Sequence, residues 1–404
     1  MERSEPVTQQ LKVAAGRIGS IDVVRGLVMV IMALDHVRDL LHISALTQDP
    51  ANLATTTPTI FLTRWITHLC APTFVFLSGT SAYLSLRRRG ATGQTVRANR
   101  FFLLKRGVVL LLLELTIVNF AFWFDIHFRT IMLQVIFTIG GGFIVLSFLS
   151  KLPARTLGII GLIIIFGHDL LLLVPPFGNQ TARFIWTLFF RIDLFTFSPT
   201  FTVLAAYPLI PWLGIMLVGF VGGQLMERPM EQRKRLLFGL GLASLALFLI
   251  LRLVNLYGDQ VPWAVQKNSV FTFMSFINVS KYPPSLLYTL LMVGIALLIL
   301  SITDGAYNAL TRVLTVYGKV PMFYYILHWY LVHLSMIAMS LLQGYSLADL
   351  PTGALNFGRP AGAGVSLGVV YLVWLALVII LYPLCKWYGR YKSAHPEITL
   401  LRYV

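Results

Sequence analysis

The fold of this chain is decided by LLFGLGLASLALFLIL, residues 236–251, in which no side chain carries a charge. This run belongs to a longer apolar segment that reaches the ~20 residues a helix needs to cross a bilayer. Similar runs lie at 108–113, 157–166 and 290–300. The 404 residues are 57% hydrophobic and 12% charged, against roughly 25% charged in ordinary soluble domains. The sequence therefore predicts an all-α polytopic integral membrane protein, a helical bundle with the bilayer as its solvent.

About ten membrane-spanning helices are predicted from the apolar runs. They lie at 21–43, 60–86, 101–124, 131–150, 155–175, 202–226, 236–256, 284–302, 316–342 and 363–385. Lys and Arg gather in the connections after every second span, so the positive-inside rule places these connections and both chain ends in the cytoplasm. The opposite side carries longer, turn-rich connections, at 44–59, 176–201, 257–283 and 343–362. We expect these to cap a site on the outer face of one transmembrane domain, 1–404, with cytoplasmic tails at 1–18 and 386–404.

Composition and motifs argue against several functional classes. The net charge of +16 is confined to short segments between apolar runs, so we interpret it as topogenic charge and predict no nucleic-acid partner. The two cysteines, Cys70 and Cys385, lie in separate apolar segments and predict neither a disulfide nor a metal site. The sequence lacks the zinc-protease, phosphate-loop and nucleophile-elbow motifs, so hydrolases and ATP-driven pumps lose their main support. No small-residue cleavage site accompanies the first apolar segment, and we expect this helix to be retained.

The first predicted span holds the densest set of ionisable side chains, and such residues inside a membrane are functional candidates by default. Asp22 and Arg25 are three residues apart and can pair on one helix face near the cytoplasmic end. His36 lies about 16 Å further along the axis than Arg25, at ~1.5 Å per residue. That separation suits a long cofactor lying parallel to the helix.

His36 and its neighbours Asp35, Arg38 and Asp39 lie near the outer end of the same span. Imidazole titrates near neutrality and a carboxylate can orient it, so His36 with Asp35 is a candidate general base. Adjacent helix positions point about 100° apart, however. The alternative is an Asp35–Arg38 ion pair with His36 facing another helix, where it would be a packing histidine or a base without Asp35.

Two further spans carry charged or titratable side chains. Arg64 and His68 are four residues apart, share a helix face and lie at the depth of His36. The alternative is that Arg64 snorkels to the outer interface and His68 caps a carbonyl. Glu114 in LLLELT is a buried carboxylate, for which we expect an arginine partner such as Arg25 or Arg64.

Two late segments complete the set of candidates. Lys281 and Tyr282 begin KYPPS, a rigid turn that would present the lysine to an anionic or hydroxyl-rich group. In the ninth span, His328 is a candidate for lining the site and His333 for a structural role, because residues five apart do not share a helix face.

Several segments resemble bacterial membrane proteins grouped with heparan-α-glucosaminide N-acetyltransferase. The first is RIGSIDVVRGLVMVIMALDHVRD at 17–39. The others are TRWITHLCAPTFVFLSGTSAYL at 63–84, LLKRG and LLLELT around Arg106 and Glu114, PLIPWLGIMLVGF at 208–220 and KYPPSLLY at 281–288. In addition, YGKVPMFYYILHWYLVH at 317–333 is similar to the final region of related proteins in the wider transmembrane acyltransferase superfamily. The resemblance covers most of the chain in order.

This resemblance implies a transmembrane acyltransferase of the bacterial inner membrane. An acetyl group from cytoplasmic acetyl-CoA would pass to an amino or hydroxyl group of a sugar or glycan outside, with membrane lipids as the remaining partner and no metal. Coenzyme A would be held by Arg25, Arg106 and Arg64, and the catalytic candidates are His36, Asp35 and His68. The acceptor-binding candidates are Asp39, Arg38, Lys281, Tyr282, His328 and Glu114.

The sequence departs from the eukaryotic pattern at one point. The eukaryotic acetyltransferase carries its active histidine in the loop between the first two matching helices, whereas residues 44–59 here contain no histidine. The role passes to His36, His42 or His68, or the chemistry is absent. We expect direct attack on acetyl-CoA with His36 as the base.

Other interpretations of the same residues are open at this stage. A transporter or flippase for a sugar or lipid-linked intermediate would depend on acidic groups such as Asp35 and Glu114 and would need no acyl donor. A scaffold without chemistry gains nothing evident from costly intramembrane charge. Small residues within 214–223 are compatible with a homodimer interface or with packing inside one chain.

Overall fold

The computed structural model describes residues 18–351, 356–398 and 401. Of the predicted N-terminal tail, only Ile18 lies within the described residues, and Arg17 of the first quoted motif lies outside them. The segment predicted as a C-terminal tail from 386 begins inside a helix that continues to Ala394. Residues 399–400 and 402–404 of that tail also lie outside the described part.

The described residues form a mostly helical bundle. The helices before residue 226 are α1 Gly19–Leu41, α2 Pro58–Thr67, α3 Cys70–Ala91, α4 Val96–Leu113, α5 Asn119–Trp123, α6 Val135–Leu149, α7 Ala154–Gly167, α8 Gln180–Phe190 and α9 Leu209–Leu225. Those after it are α10 Met230–Val254, α11 Ser269–Ile277, α12 Leu286–Thr303, α13 Ala309–Gly318, α14 Pro321–Leu342 and α15 Leu367–Ala394. Hydroxyl and amide side chains cap several starts, as Thr57 does for α2 and Ser285 for α12, because the first N–H groups of a helix lack partners within it.

In the described part of the chain, three short strands accompany the helices, and the all-α prediction did not include them. β1 Thr130–Leu133, β2 Asp193–Ser198 and β3 Phe201–Ala205 form one sheet in the order β1-β3-β2. β1 and β3 are parallel, whereas β2 and β3 are antiparallel. The predicted spans at 131–150 and 202–226 were therefore wrong at their starts, because a short apolar run does not distinguish a strand from a helix.

Six helical segments in the described part of the chain are long and apolar enough to cross a membrane. They are Pro58–Ala91, Ala154–Leu173, Met230–Val254, Leu286–Thr303, Pro321–Leu342 and Leu367–Ala394. Two shorter apolar helices, α6 and α9, accompany them. The multi-pass membrane class is confirmed at this level, and the count of ten spans stays a prediction.

The glycines of the 214–223 segment pack inside the chain. A Cβ at Gly219 would lie 2.1 Å from the carbonyl oxygen of Phe76, and one at Gly223 would meet the ring of Tyr83. The Thr80 hydroxyl also donates to the Gly219 carbonyl, over 2.9 Å. Close packing of α9 against α3, and against α7 at Gly214, thus accounts for these small residues without a second copy of the chain.

α1 packs against α13 with the two backbones in contact. A Cβ on Gly26 would lie 1.9 Å from the carbonyl oxygen of Leu314, and one on Gly318 would lie 1.8 Å from that of Asp22. Since both obstacles are backbone atoms, a side chain at either position forces the helices apart. The two glycines therefore fix where α1 lies in the bundle.

We expect Gly26→Ala to lower the free energy of unfolding by about 1–3 kcal/mol, the usual cost of overpacking. Gly19→Ala is the matched control on the same helix, because a Cβ there meets nothing within 4 Å. Thermal unfolding of both variants in detergent measures the difference. Equal stability of Gly26→Ala and the unchanged protein would contradict the contact.

Candidate active site

Asp35 on α1 is the centre of a buried ion-pair cluster. Its carboxylate lies 2.8 Å from Arg38 Nη2, 2.6 Å from Arg64 Nη1 and 3.9 Å from Lys281 Nζ. Arg38 also lies 2.5 Å from Asp39. The Asp35–Arg38 pair expected from their spacing is present, and Arg64 approaches from α2. With its oxygens facing cations, Asp35 is not the group that orients His36.

Lys281 and Tyr282 reach this cluster through an ordered turn before α12. Asp259 accepts hydrogen bonds from the Ser280 amide and hydroxyl, both at 2.9 Å, and from the Ser285 hydroxyl at 2.6 Å. This holds both ends of the turn, so Lys281 is presented to Asp35 as a buried cation. The KYPPS sequence predicts the rigid turn, whereas its carboxylate partner, Asp259, lies more than 20 residues earlier in the chain.

His36 faces α14, where it pairs with His328. Its Nδ1 lies 2.7 Å from His328 Nε2, and the ring centroids are 5.0 Å apart with planes inclined by 24°. Such nearly coplanar rings suit an N–H···N hydrogen bond. One face of the His36 ring stacks on Trp329, with the ring centroids 3.9 Å apart. His36 is partly exposed, whereas His328 is fully buried.

A cavity of about 240 Å³ lies beside the other half of α1. Basic side chains line it, and they come from α1, α4, α15 and the α13–α14 connection: Arg25, Arg106, Lys392 and Lys319. Its remaining wall is mainly apolar and includes Met29, Phe74, Leu110, Ile136 and Phe143. Arg25 and Arg106, predicted separately from sequence, therefore meet at one cavity. Lys319 and Lys392 were not among the predicted site residues, because single basic residues beside apolar spans look like topogenic charge.

The cavity and the histidine pair share two helices. Met29 lines the cavity seven residues before His36 on α1, and Tyr325 lines it three residues before His328 on α14. These separations are about two turns and one turn of helix. α1 and α14 thus connect a basic cavity to the His36–His328 pair.

Arg25 contacts polar groups of α1, α3 and α13. Its guanidinium donates to the Ser81 hydroxyl over 2.8 Å and to the Gly318 carbonyl over 3.4 Å, and it pairs with Asp22 over 3.4 Å. The Asp22–Arg25 pair expected from sequence is present. Arg106 lies across the cavity with its guanidinium carbon 4.9 Å from the centre of the Phe143 ring.

Arg359 holds the C-terminal end of α1 in place. Its Nη1 donates to the carbonyls of Leu40 and His42, over 3.0 and 2.7 Å. A cation at a helix C-terminus complements the unpaired carbonyls there. Burial lowers the pKa of Arg359 to about 10, and the nearby Asp39 opposes that shift.

Arg64, His68 and His333, all singled out from the sequence, lie apart from the cavity and from the histidine pair. Arg64, predicted to hold coenzyme A, instead pairs with Asp35. His68 ends α2 and packs its ring against Tyr288, whose hydroxyl donates to the His68 carbonyl over 2.8 Å. His333 stacks on Phe124 at 4.1 Å, in keeping with a structural role.

Glu114 differs from its prediction. It begins a π-helical turn, Glu114–Val118, between α4 and α5, and it is fully buried. Its Oε1 accepts from the Gln134 amide over 2.7 Å. Among the described residues no arginine pairs with it, and its other oxygen has no hydrogen-bond partner. The expected arginine partners are engaged elsewhere, Arg25 at the cavity and Arg64 at Asp35.

Comparison with known protein families matches residues 17–253 to the family described as heparan-alpha-glucosaminide N-acetyltransferase, catalytic. No curated protein matches the chain. The matched range is more than half of the 404 residues and contains α1 with Arg25 and His36. The turn at Lys281 and the helix that carries His328 lie beyond it. The chain belongs to the family of the heparan-alpha-glucosaminide N-acetyltransferase catalytic domain, in which a membrane N-acetyltransferase uses acetyl-CoA as the acetyl donor.

Proposed function

We propose that this protein is a transmembrane acetyltransferase of the bacterial inner membrane. It moves an acetyl group from cytoplasmic acetyl-CoA to an amino or hydroxyl group of a sugar or glycan on the other side. The observation that carries the proposal is the cavity beside α1, which has basic side chains and an apolar wall and shares α1 and α14 with the His36–His328 pair.

The cavity residues fit the chemistry of a coenzyme A thioester. Phosphates need charge-assisted hydrogen bonds, which Arg25, Arg106, Lys319 and Lys392 can supply. The pantetheine arm is uncharged and suits the apolar wall, where Tyr325 adds a hydroxyl-bearing side chain. Positive charge on this side agrees with a cytoplasmic location and with the predicted ten-span topology.

His36 is the proposed base in a direct transfer. Its Nε2 removes one proton from the acceptor amine or hydroxyl as that nitrogen or oxygen bonds to the acetyl carbonyl carbon. The carbon–sulfur bond then breaks, and His36 returns the proton to the coenzyme A thiolate. The products are the acetylated acceptor and free coenzyme A, so atoms and charge balance without a further reactant.

The ion-pair cluster is the proposed acceptor side of the site. Arg38, Asp39 and Lys281 bring charged side chains to the outer half of α1, and Tyr282 adjoins Lys281. Sugars offer hydroxyl groups that bind such side chains through hydrogen bonds. The long connections predicted on this side would enclose the acceptor.

We expect coenzyme A to stabilise the purified protein by about 2.7 kcal/mol at a concentration of 100 Kd, because it binds only the folded state. Arg106→Ala and Arg25→Ala should weaken its binding about 10- to 100-fold, since each removes a charged hydrogen-bond donor. Thermal-shift measurements and isothermal titration with acetyl-CoA, coenzyme A and inorganic phosphate check this.

Arg155→Ala is the matched control, because Arg155 is an exposed basic residue that does not line the cavity. Coenzyme A binding that survives both cavity substitutions would place the donor elsewhere. A different result is a protein that fails to bind coenzyme A and yet lets reconstituted vesicles accumulate sugar without an acyl donor. This result would contradict the acetyltransferase and support a transporter.

A further inference from the structure

We infer that His328 is a positioning residue, which holds His36 in the tautomer that turns an unprotonated Nε2 toward the acceptor. The inference rests on the proposed function for its catalytic part. The hydrogen-bond polarity that it requires follows from the geometry of α1 and α14 alone.

His328, the buried partner, sets the direction of its hydrogen bond with His36. His328 Nδ1 lies 3.0 Å from the backbone carbonyl of Tyr324. A carbonyl only accepts, so a neutral His328 carries its proton on Nδ1. Its Nε2 then has a lone pair and accepts from His36 Nδ1, 2.7 Å away. A neutral His36 with its proton on Nδ1 leaves Nε2 free to accept a proton.

The surroundings of His36 support this assignment. His328 is fully buried and Trp329 stacks on the His36 ring, so both partners are confined. His36 keeps partial exposure, and among the described residues its Nε2 has no hydrogen-bond partner in the structure. The adjacent Asp35 is engaged with Arg38 and Arg64. An imidazole therefore occupies the place beside His36 where a carboxylate often orients a catalytic histidine.

The same contact acts during the reaction. When His36 Nε2 takes the acceptor proton, the ring becomes an imidazolium whose Nδ1–H still donates to His328 Nε2. The positive charge is stabilised by this lone pair and by the Trp329 ring. No covalent bond to either histidine forms, and the proton leaves with the coenzyme A thiol.

The donor–acceptor direction of the His36–His328 hydrogen bond is tested by solid-state NMR. The protein carries 15N-labelled imidazoles and is measured in lipid bilayers at mildly alkaline pH. The His36 signals are identified by their loss in His36→Gln, and those of His328 by their loss in His328→Gln. Both rings should carry the proton on Nδ1 and none on Nε2. A protonated Nε2 on neutral His36 would overturn the inference, whether or not the protein transfers acetyl groups.

The positioning role is tested by two substitutions of His328. Glutamine can place an amide oxygen near the position of Nε2 and accept from His36, whereas leucine cannot. We expect His328→Leu to lower kcat roughly 10- to 100-fold, the usual cost of losing the partner that orients a metal-bound histidine, with the KM for acetyl-CoA little changed. His328→Gln should restore most of kcat, and His333→Leu controls for loss of a buried imidazole from α14.

Equal losses of kcat in His328→Gln and His328→Leu would show that His328 contributes only through packing. This result would overturn the positioning role. A protein that binds coenzyme A but transfers nothing to glucosamine, glucose or water would instead overturn the proposed function. The NMR result separates the two failures, since the tautomer of His36 is read without turnover.

Discussion

His36→Gln is expected to lower the rate of acetyl transfer about 10²- to 10⁴-fold, the usual contribution of a positioned general base. Coenzyme A should still stabilise the variant, because the cavity residues Arg25 and Arg106 are unchanged. The measurement is release of coenzyme A thiol from acetyl-CoA in proteoliposomes, with glucosamine as the acceptor. Glucose, which has hydroxyl groups but no amine, reports whether oxygen acceptors are also used.

His68→Gln and His127→Gln complete the comparison. His127 lies on an exposed loop, so its substitution controls for loss of any imidazole. Loss of transfer in His68→Gln with full activity in His36→Gln would move the base to His68 and contradict the assignment. Loss in neither variant would exclude both His36 and His68 as the base.

Asp35→Asn is expected to lower the free energy of unfolding by about 3–5 kcal/mol, because removing one partner from a buried ion pair leaves charge without compensation. Three cations, Arg38, Arg64 and Lys281, lie within 4 Å of its carboxylate. Asparagine preserves the shape and removes the charge. Thermal or denaturant unfolding in detergent measures the loss.

Asp39→Asn is the matched control for this prediction. The Asp39 side chain is 38% exposed and pairs with Arg38, so the change should cost less than about 1 kcal/mol. Adding Arg64→Gln to Asp35→Asn should recover part of the loss, since one uncompensated cation is then absent. Equal stabilities of Asp35→Asn and Asp39→Asn would contradict the role of Asp35 as the centre of the cluster.

The spacing of residues along one helix predicted the contacts that lie within single helices. Three-residue spacing predicted the Asp22–Arg25 and Asp35–Arg38 pairs, because such residues share a helix face whatever the rest of the fold does. The role of Arg25 in holding coenzyme A came from the family resemblance rather than from spacing, and it stays a prediction. The long apolar runs predicted a multi-pass membrane protein, since few other environments accept them.

Contacts between distant segments could not be predicted in this way. His36 and His328 are 292 positions apart, and periodicity within one helix does not say which other helix it faces. Asp35 looked like the partner of His36 because it is adjacent, but two arginines from different helices compete for it. Glu114 similarly accepts a hydrogen bond from a backbone amide instead of pairing with an arginine, because the π-helical turn places it beside Gln134.

α1 runs without interruption from Gly19 to Leu41, and Gly26, Gly318 and Arg359 anchor it along its length. In the proposed reaction α1 therefore fixes the distance between the two ends of the donor site. One rigid rod sets the spacing between the phosphate anchor at Arg25 and the reacting carbon at His36. The length of the donor then decides whether it can react. A thioester without the nucleotide has no phosphates to bind at Arg25, and a thioester with a shorter arm than pantetheine does not bring its carbonyl carbon to His36. In this proposal the acetyl group crosses because the donor spans the distance that α1 fixes.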